Sequence, residues 1–257
     1  MVLELRYLET WVLVVTRLSG LFISAPIFAA DSFPKAARAG MVGLIGLLLV
    51  PQVSRSIHAL PNDVATLVVI FFGEITVGML LGFLVKLLIE AVNFGGSFMS
   101  FSMGLTFSSI LDPETQGAKG SLGHFMDYSA MLWLLASNGH HLMLQGLIDS
   151  YQVLPALAFK MKPPVLDTLL VMSGQVFSVA FRIGGPVVGV LFVTNMVLGL
   201  ISRSVTQLNP FFMSFIIGIL VGLSMLMLCL PLVFDLLESL VPKTLHTYWA
   251  LLKEIAI

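Results

Sequence analysis

The stretch VATLVVIFFGEITVGMLLGFLVKLLI, Val64 to Ile89, decides the fold. Its apolar residues run on without the polar alternation of a half-buried strand, and it exceeds the roughly 20 helical residues needed to cross a hydrocarbon core. Lipid admits only helices or closed barrels, because every backbone polar group must be satisfied internally. A continuous apolar run therefore reads as a membrane helix. Two charges, Glu74 and Lys86, interrupt it, and Gly78 with Gly82 gives a G-x-x-x-G spacing.

The rest of the chain has the same character. Of its 257 residues, 58% are hydrophobic and 11% charged, against roughly a quarter charged in a soluble domain. The expected fold class is all-α, a polytopic helical membrane protein built from long, partly broken helical hairpins. Seven apolar segments can be drawn: Leu8 to Phe28, Ala39 to Val53, Val64 to Ile89, Phe94 to Leu111, Phe125 to Ile148, Leu166 to Ile201 and Phe211 to Leu240. The sixth contains RIGGP, Arg182 to Pro186, whose glycines and proline predict a kink or break. Short loops and the absence of internal repeats predict a single domain over residues 1–257. Lys and Arg are spread thinly on both sides, so orientation stays open. The first segment reads as retained, since Glu4 and Glu9 flank it and Arg17 interrupts it.

A net charge of −1 gives no footprint for nucleic acid. Cys229, the single cysteine, reads as an inert buried thiol. SNGHH, Ser137 to His141, lacks carboxylate or cysteine at ligand spacing, so no metal or other cofactor is expected. Asn138 and Gly139 instead predict a helix interruption. No hydrolase, zincin or phosphate-loop pattern is present, and no enzyme activity is expected.

Arg17, Glu74, Lys86, Asp127 and Arg182 lie in or near apolar segments, where a central charge costs at least about 2.5–3.5 kcal/mol. They must pair, face water or sit in protein; Arg17 and Glu74 are candidates to pair between segments. Gly78 with Gly82, Gly185 with Gly189, and Gly218 with Gly222 are candidate helix-packing glycines. A secondary transporter, with RIGGP as its broken helix, is the alternative from another functional class.

The middle stretch, SMGLTFSSILDPETQGAKG from Ser102 to Gly120, combines small, hydroxylated and large apolar residues. Asp112-Pro113 is expected to end the preceding helical conformation, after which the polar residues turn the chain.

A series of strings in order along nearly the whole chain resembles the FliR family of flagellar export-gate proteins and its injectisome counterparts. They are TRLSGLFISAPIF with Arg17, FPKAARAG, GEITVGMLLGF with Glu74, MGLTFSSILDP, NGH, and NMVLGLISRSVTQLN with Arg203. The resemblance implies a non-enzymatic component of the inner-membrane gate in the flagellar basal body. Its partners would be FliP-like and FliQ-like subunits in a helical hetero-oligomer, an FlhB-like subunit, and the unfolded flagellar proteins that pass through.

It further implies that the middle loop plugs the channel. The plug residues would be Met103, Gly104, Phe107, Ile110, Leu111, Asp112 and Pro113, the glycine giving backbone freedom, the methionine deformability and the large apolar residues a dry constriction. Arg17, Glu74, Arg182 and Arg203 would be buried charges or assembly contacts.

Overall fold

A computed structural model describes residues 2–29, 34–53, 61, 63–106, 121–155, 159, 163–204 and 210–256. All regular structure among them is helical: α1 Val2–Ser24, α2 Pro26–Ala29, α3 Lys35–Val53, α4 Val64–Ser102, α5 Ser121–Ala136, α6 Gly139–Val153, α7 Pro163–Ser204 and α8 Pro210–Ala256. Four of these, α3, α4, α7 and α8, are long and apolar enough to cross a membrane. The protein is an all-α polytopic membrane protein.

Several expected boundaries change. The third apolar segment and the fourth as far as Ser102 form one helix, α4, of 39 residues. Asn93, Gly95 and Gly96 do not break it, because the polar side chain and the missing Cβ atoms are used for packing, as described below. The last helix runs past Leu240 to Ala256; its later turns carry polar residues on one side, yet Tyr248, Leu251, Leu252 and Ile255 remain buried on the other. At Asn138 the backbone turns left-handed, φ 59°, separating α5 from α6.

Of the kink or break expected at RIGGP, the break is absent: α7 continues through Pro186 for 42 residues. Proline removes one donor, the one that would serve the Arg182 carbonyl a turn earlier. Breaking the helix would unpair several more groups in an apolar setting, which costs more than the single lost bond. The transporter alternative loses the broken helix that motivated it.

The chain forms two compact units, whose boundaries fall inside helices rather than in linkers. The first comprises Met1–Leu87, Leu134–Met172 and Leu240–Ile257. In it α1 lies against α3, where Trp11 Nε1 donates to the Gly43 carbonyl at 3.1 Å. Glycines bring α1 and α4 together: a Cβ on Gly20 would run into the Ile75 carbonyl, one on Gly78 into the Arg17 carbonyl, and one on Gly82 into the Ser24 hydroxyl. Leu13, Leu18, Leu21, Leu81, Leu147 and Leu252 form its closed core.

The second unit comprises Leu88–Trp133 and Ser173–Ser239. Here the later half of α4 packs on α5 and α7. Asn93 Nδ2 donates to the Gly123 carbonyl at 3.4 Å, and a Cβ on Gly96 would meet the Leu122 carbonyl at 2.8 Å. Toward α7, Gly95 and Gly184 allow close backbone approach, flanked by the edge-to-face pairs Phe94–Phe177 and Phe98–Phe181, each with centroids 5.3 Å apart. Sequence spacing singled out neither Gly95, Gly96 nor Gly184.

Candidate functional site

Two features of the structure bear on function, one in each unit. In the first, Arg17 of α1 is 0% exposed and Glu74 of α4 is 3% exposed. Arg17 Nε donates to Glu74 Oε2 at 2.6 Å and Nη2 donates to Oε1 at 3.0 Å, a bidentate fork. The remaining guanidinium donors reach α6 and the residue after it: Nη1 donates to Ser150 Oγ at 2.7 Å and Nη2 to the Leu154 carbonyl at 3.2 Å. Tyr151 covers the pair, its ring centroid 3.6 Å from the guanidinium carbon.

A buried ion pair is tolerated when further hydrogen bonds satisfy its leftover donors. Ser150, Tyr151 and the Leu154 carbonyl fill that requirement. The sequence suggested the Arg17–Glu74 pairing but not these companions. The YQ pair at the end of α6 has no motif around it, and only its meeting with α1 gives Tyr151 a role.

The second feature is the start of the middle stretch. The helix α4 ends ten residues before Asp112, through a glycine cap and not through the Asp-Pro pair. Gly104 has φ 80°; its N–H donates to the Phe101 carbonyl at 3.0 Å, and the Leu105 N–H to the Ser100 carbonyl at 3.0 Å. This paired closure is a Schellman cap, which requires the left-handed conformation that glycine adopts without strain. Met103, just before it, is 2% exposed. Its side chain lies where Gly222 of α8 leaves room: a Cβ on Gly222 would come within 2.8 Å of Met103 Sδ. Gly218, one turn earlier on α8, lies beside the Met103 carbonyl, 3.9 Å from where its own Cβ would stand. Phe107, Ile110, Leu111, Asp112 and Pro113 lie outside the described residues.

The other candidates are placed differently. Arg182 and Arg203 are exposed on α7, so within this chain neither is a buried charge, and their role as assembly contacts stays an expectation. A Cβ on Gly185 or Gly189 would meet nothing within 4 Å, so among the described residues these two glycines make no close helix contact. Lys86 is also exposed. No group of three or more metal-ligating side chains occurs among the described residues.

Residues 8–244 match the family of bacterial export proteins, family 1. The chain belongs to this family. Similar proteins within it include the flagellar biosynthetic protein FliR of Bacillus subtilis, 28% identical over 96% of each chain. That of Escherichia coli is 26% identical over 98% of this chain and 96% of its own, and that of Caulobacter vibrioides 25% identical over 85% and 87%. The strings quoted from the sequence and these full-length likenesses point to the same family. The named relatives are flagellar, in keeping with the flagellar rather than the injectisome branch of the resemblance.

Proposed function

We propose that this protein is the FliR-type component of the flagellar protein-export gate in the bacterial inner membrane. It combines with FliP-like and FliQ-like subunits, beside an FlhB-like subunit, to form and close the channel through which unfolded flagellar proteins leave the cell. The role is structural and gating rather than enzymatic.

The observation that carries this reading is the length of the exposed apolar helices. At about 1.5 Å per residue, α4, α7 and α8 are about 58, 63 and 70 Å long, roughly twice the ~30 Å hydrocarbon thickness. Large apolar side chains stay exposed on α7 from Leu166 to Ile201 and on α8 from Phe212 to Leu232. The α8 stretch, about 30 Å, fits one hydrocarbon core, but the α7 stretch, about 52 Å, is longer than lipid covers end to end at ordinary tilt. Other subunits of an assembly supply the remaining cover.

Closure belongs to the middle stretch. Met103 in the notch at Gly222 and the Gly104 cap anchor its beginning, so that the following residues enter the lumen from a fixed point. The test is ion and small-solute leakage in cells carrying the assembled complex with Thr106 to Asp112 replaced by a Gly/Ser linker. Leakage above wild type with assembly intact supports a plug; unchanged leakage returns the stretch to a connecting loop.

A further inference from the structure

A polar and glycine-bearing stripe runs along the exposed surface of α7. Gln175, Ser178 and Arg182 follow at spacings of three and four residues, which places them on one helix face. Gly185 and Gly189 continue the same line. The three polar side chains are exposed, and none has a hydrogen-bond or ionic partner among the described residues. The stripe leads into a groove of about 600 Å³, lined by Gly185, Gly189, Val193 and Val197 of α7 and by Ile217 of α8.

Lipid tails do not suit this face. The large apolar side chains exposed on this face extend from Val171 to Leu200, about 44 Å along the axis, whereas a 40° tilt brings only about 39 Å of helix into a ~30 Å core. Arg182 stands about 17 Å from one end of that span and about 27 Å from the other, too far for its side chain to reach either end. An aqueous lumen would solvate the guanidinium but would also wet the valine-lined groove. A helix meets both demands. Its backbone can approach over Gly185 and Gly189, where no Cβ intervenes, and a carboxylate on it can pair with Arg182.

We propose that this face of α7 seats one apolar helix of another subunit, and that this helix carries a carboxylate about one to two turns from the residue meeting Gly185 and Gly189. The identity of that subunit as a gate component rests on the function proposed above; the chemistry of the contact does not. The guanidinium is the specificity element of the seat, and the glycine groove is its shape element.

The experiment uses the full chain co-expressed with the FliP-like and FliQ-like subunits. A photo-crosslinking residue at Val193 is expected to give one major adduct with a partner helix bearing an acidic residue. Arg182→Glu is expected to lower recovered complex by at least about tenfold, as for loss of a desolvated charge pair, while Arg182→Lys stays within about twofold. Changing the partner carboxylate to Arg restores the Arg182→Glu complex. Since Arg182 is exposed in the chain itself, the amount of folded chain is unchanged in each variant.

The proposal is overturned if the Val193 adducts are with lipid alone or with a second copy of this chain. It is equally overturned if Arg182→Cys, in a Cys229→Ser background, reacts with a membrane-impermeant maleimide in the assembled complex, because the face then lines water. Assembly of wild type without the Val193 adduct defeats this inference and leaves the gate reading standing. Failure of the wild-type chain to enter any complex with those subunits defeats both.

Discussion

Arg17 and Glu74, 57 positions apart, close a two-bond fork at 2.6 and 3.0 Å inside a membrane protein's first compact unit. Neither residue could be left alone there, because an unpaired buried charge is more costly than the pair. Arg17→Met is expected to destabilise the chain by about 3–5 kcal/mol through the abandoned Glu74 carboxylate. The double variant Arg17→Met with Glu74→Leu should recover a substantial part of that loss. Thermal unfolding in a mild detergent reads the cycle; a double variant no better than Arg17→Met would mean that Ser150 and Tyr151 hold the unit together without the ion pair.

The glycine pairs separate into two kinds. Gly78→Ala pushes a methyl group into the backbone carbonyl of Arg17, and overpacking of this sort costs about 1–3 kcal/mol. Gly185→Ala meets open space and should leave the isolated chain as stable as before, or more so by up to about 1 kcal/mol from helix propensity. Unfolding temperatures of the two variants, compared in one detergent, check this. Equal losses would contradict the close α1–α4 approach.

At the head of the middle stretch, Gly104→Ala places a methyl-bearing residue at φ 80°, a strain of roughly 1–2 kcal/mol. Gly222→Leu occupies the room used by the Met103 thioether and displaces it. Both variants are expected to raise ion leakage through the assembled complex without reducing its recovery, with Gly222→Leu the larger. Patch-clamp or dye-leak measurements on cells with normal complex levels would decide the matter. Tight closure in both would show that the plug does not depend on where the segment begins.

The start of α4 titrates. Asp63 Oδ2 accepts from the Thr66 amide at 3.0 Å and from the Thr66 hydroxyl at 2.7 Å, and these bonds hold its carboxyl below the usual carboxylate range. A depressed folded-state pKa means that the cap's contribution is present above the unfolded value of about 3.9 and fades as pH falls through the folded value below it. Hydrogen exchange at the Thr66 amide, corrected for intrinsic rate, should quicken below about pH 4. In Asp63→Asn, which can still accept the bond, that acid-dependent step should vanish.

Much of the helix content was legible because it follows from local chemistry. The run from Val64 to Ile89 is apolar whatever it meets, and Asn138 followed by Gly139 marks the break where the backbone turns left-handed. Two local signals misled. The boundary drawn between Ile89 and Phe94 is helical, and Asn93, Gly95 and Gly96 beside it hold α4 against α5 and α7. RIGGP also reads as a kink or break, but an apolar helix loses less by bridging the one bond missing at Pro186 than by exposing a turn.

The sequence by itself determined that this is a helical membrane protein, and its ordered strings determined the family. Transfer of each apolar side chain out of water depends on that side chain alone, so a linear reading captures it. Only the tertiary structure decided that Ser150 and Tyr151 complete the shell of Arg17, that Met103 takes the space beside Gly222, and that Gly78 is covered while Gly185 stays open. These relations join positions 133 residues apart in the case of Arg17 and Ser150. Their energies depend on which surfaces meet, and no local pattern encodes that.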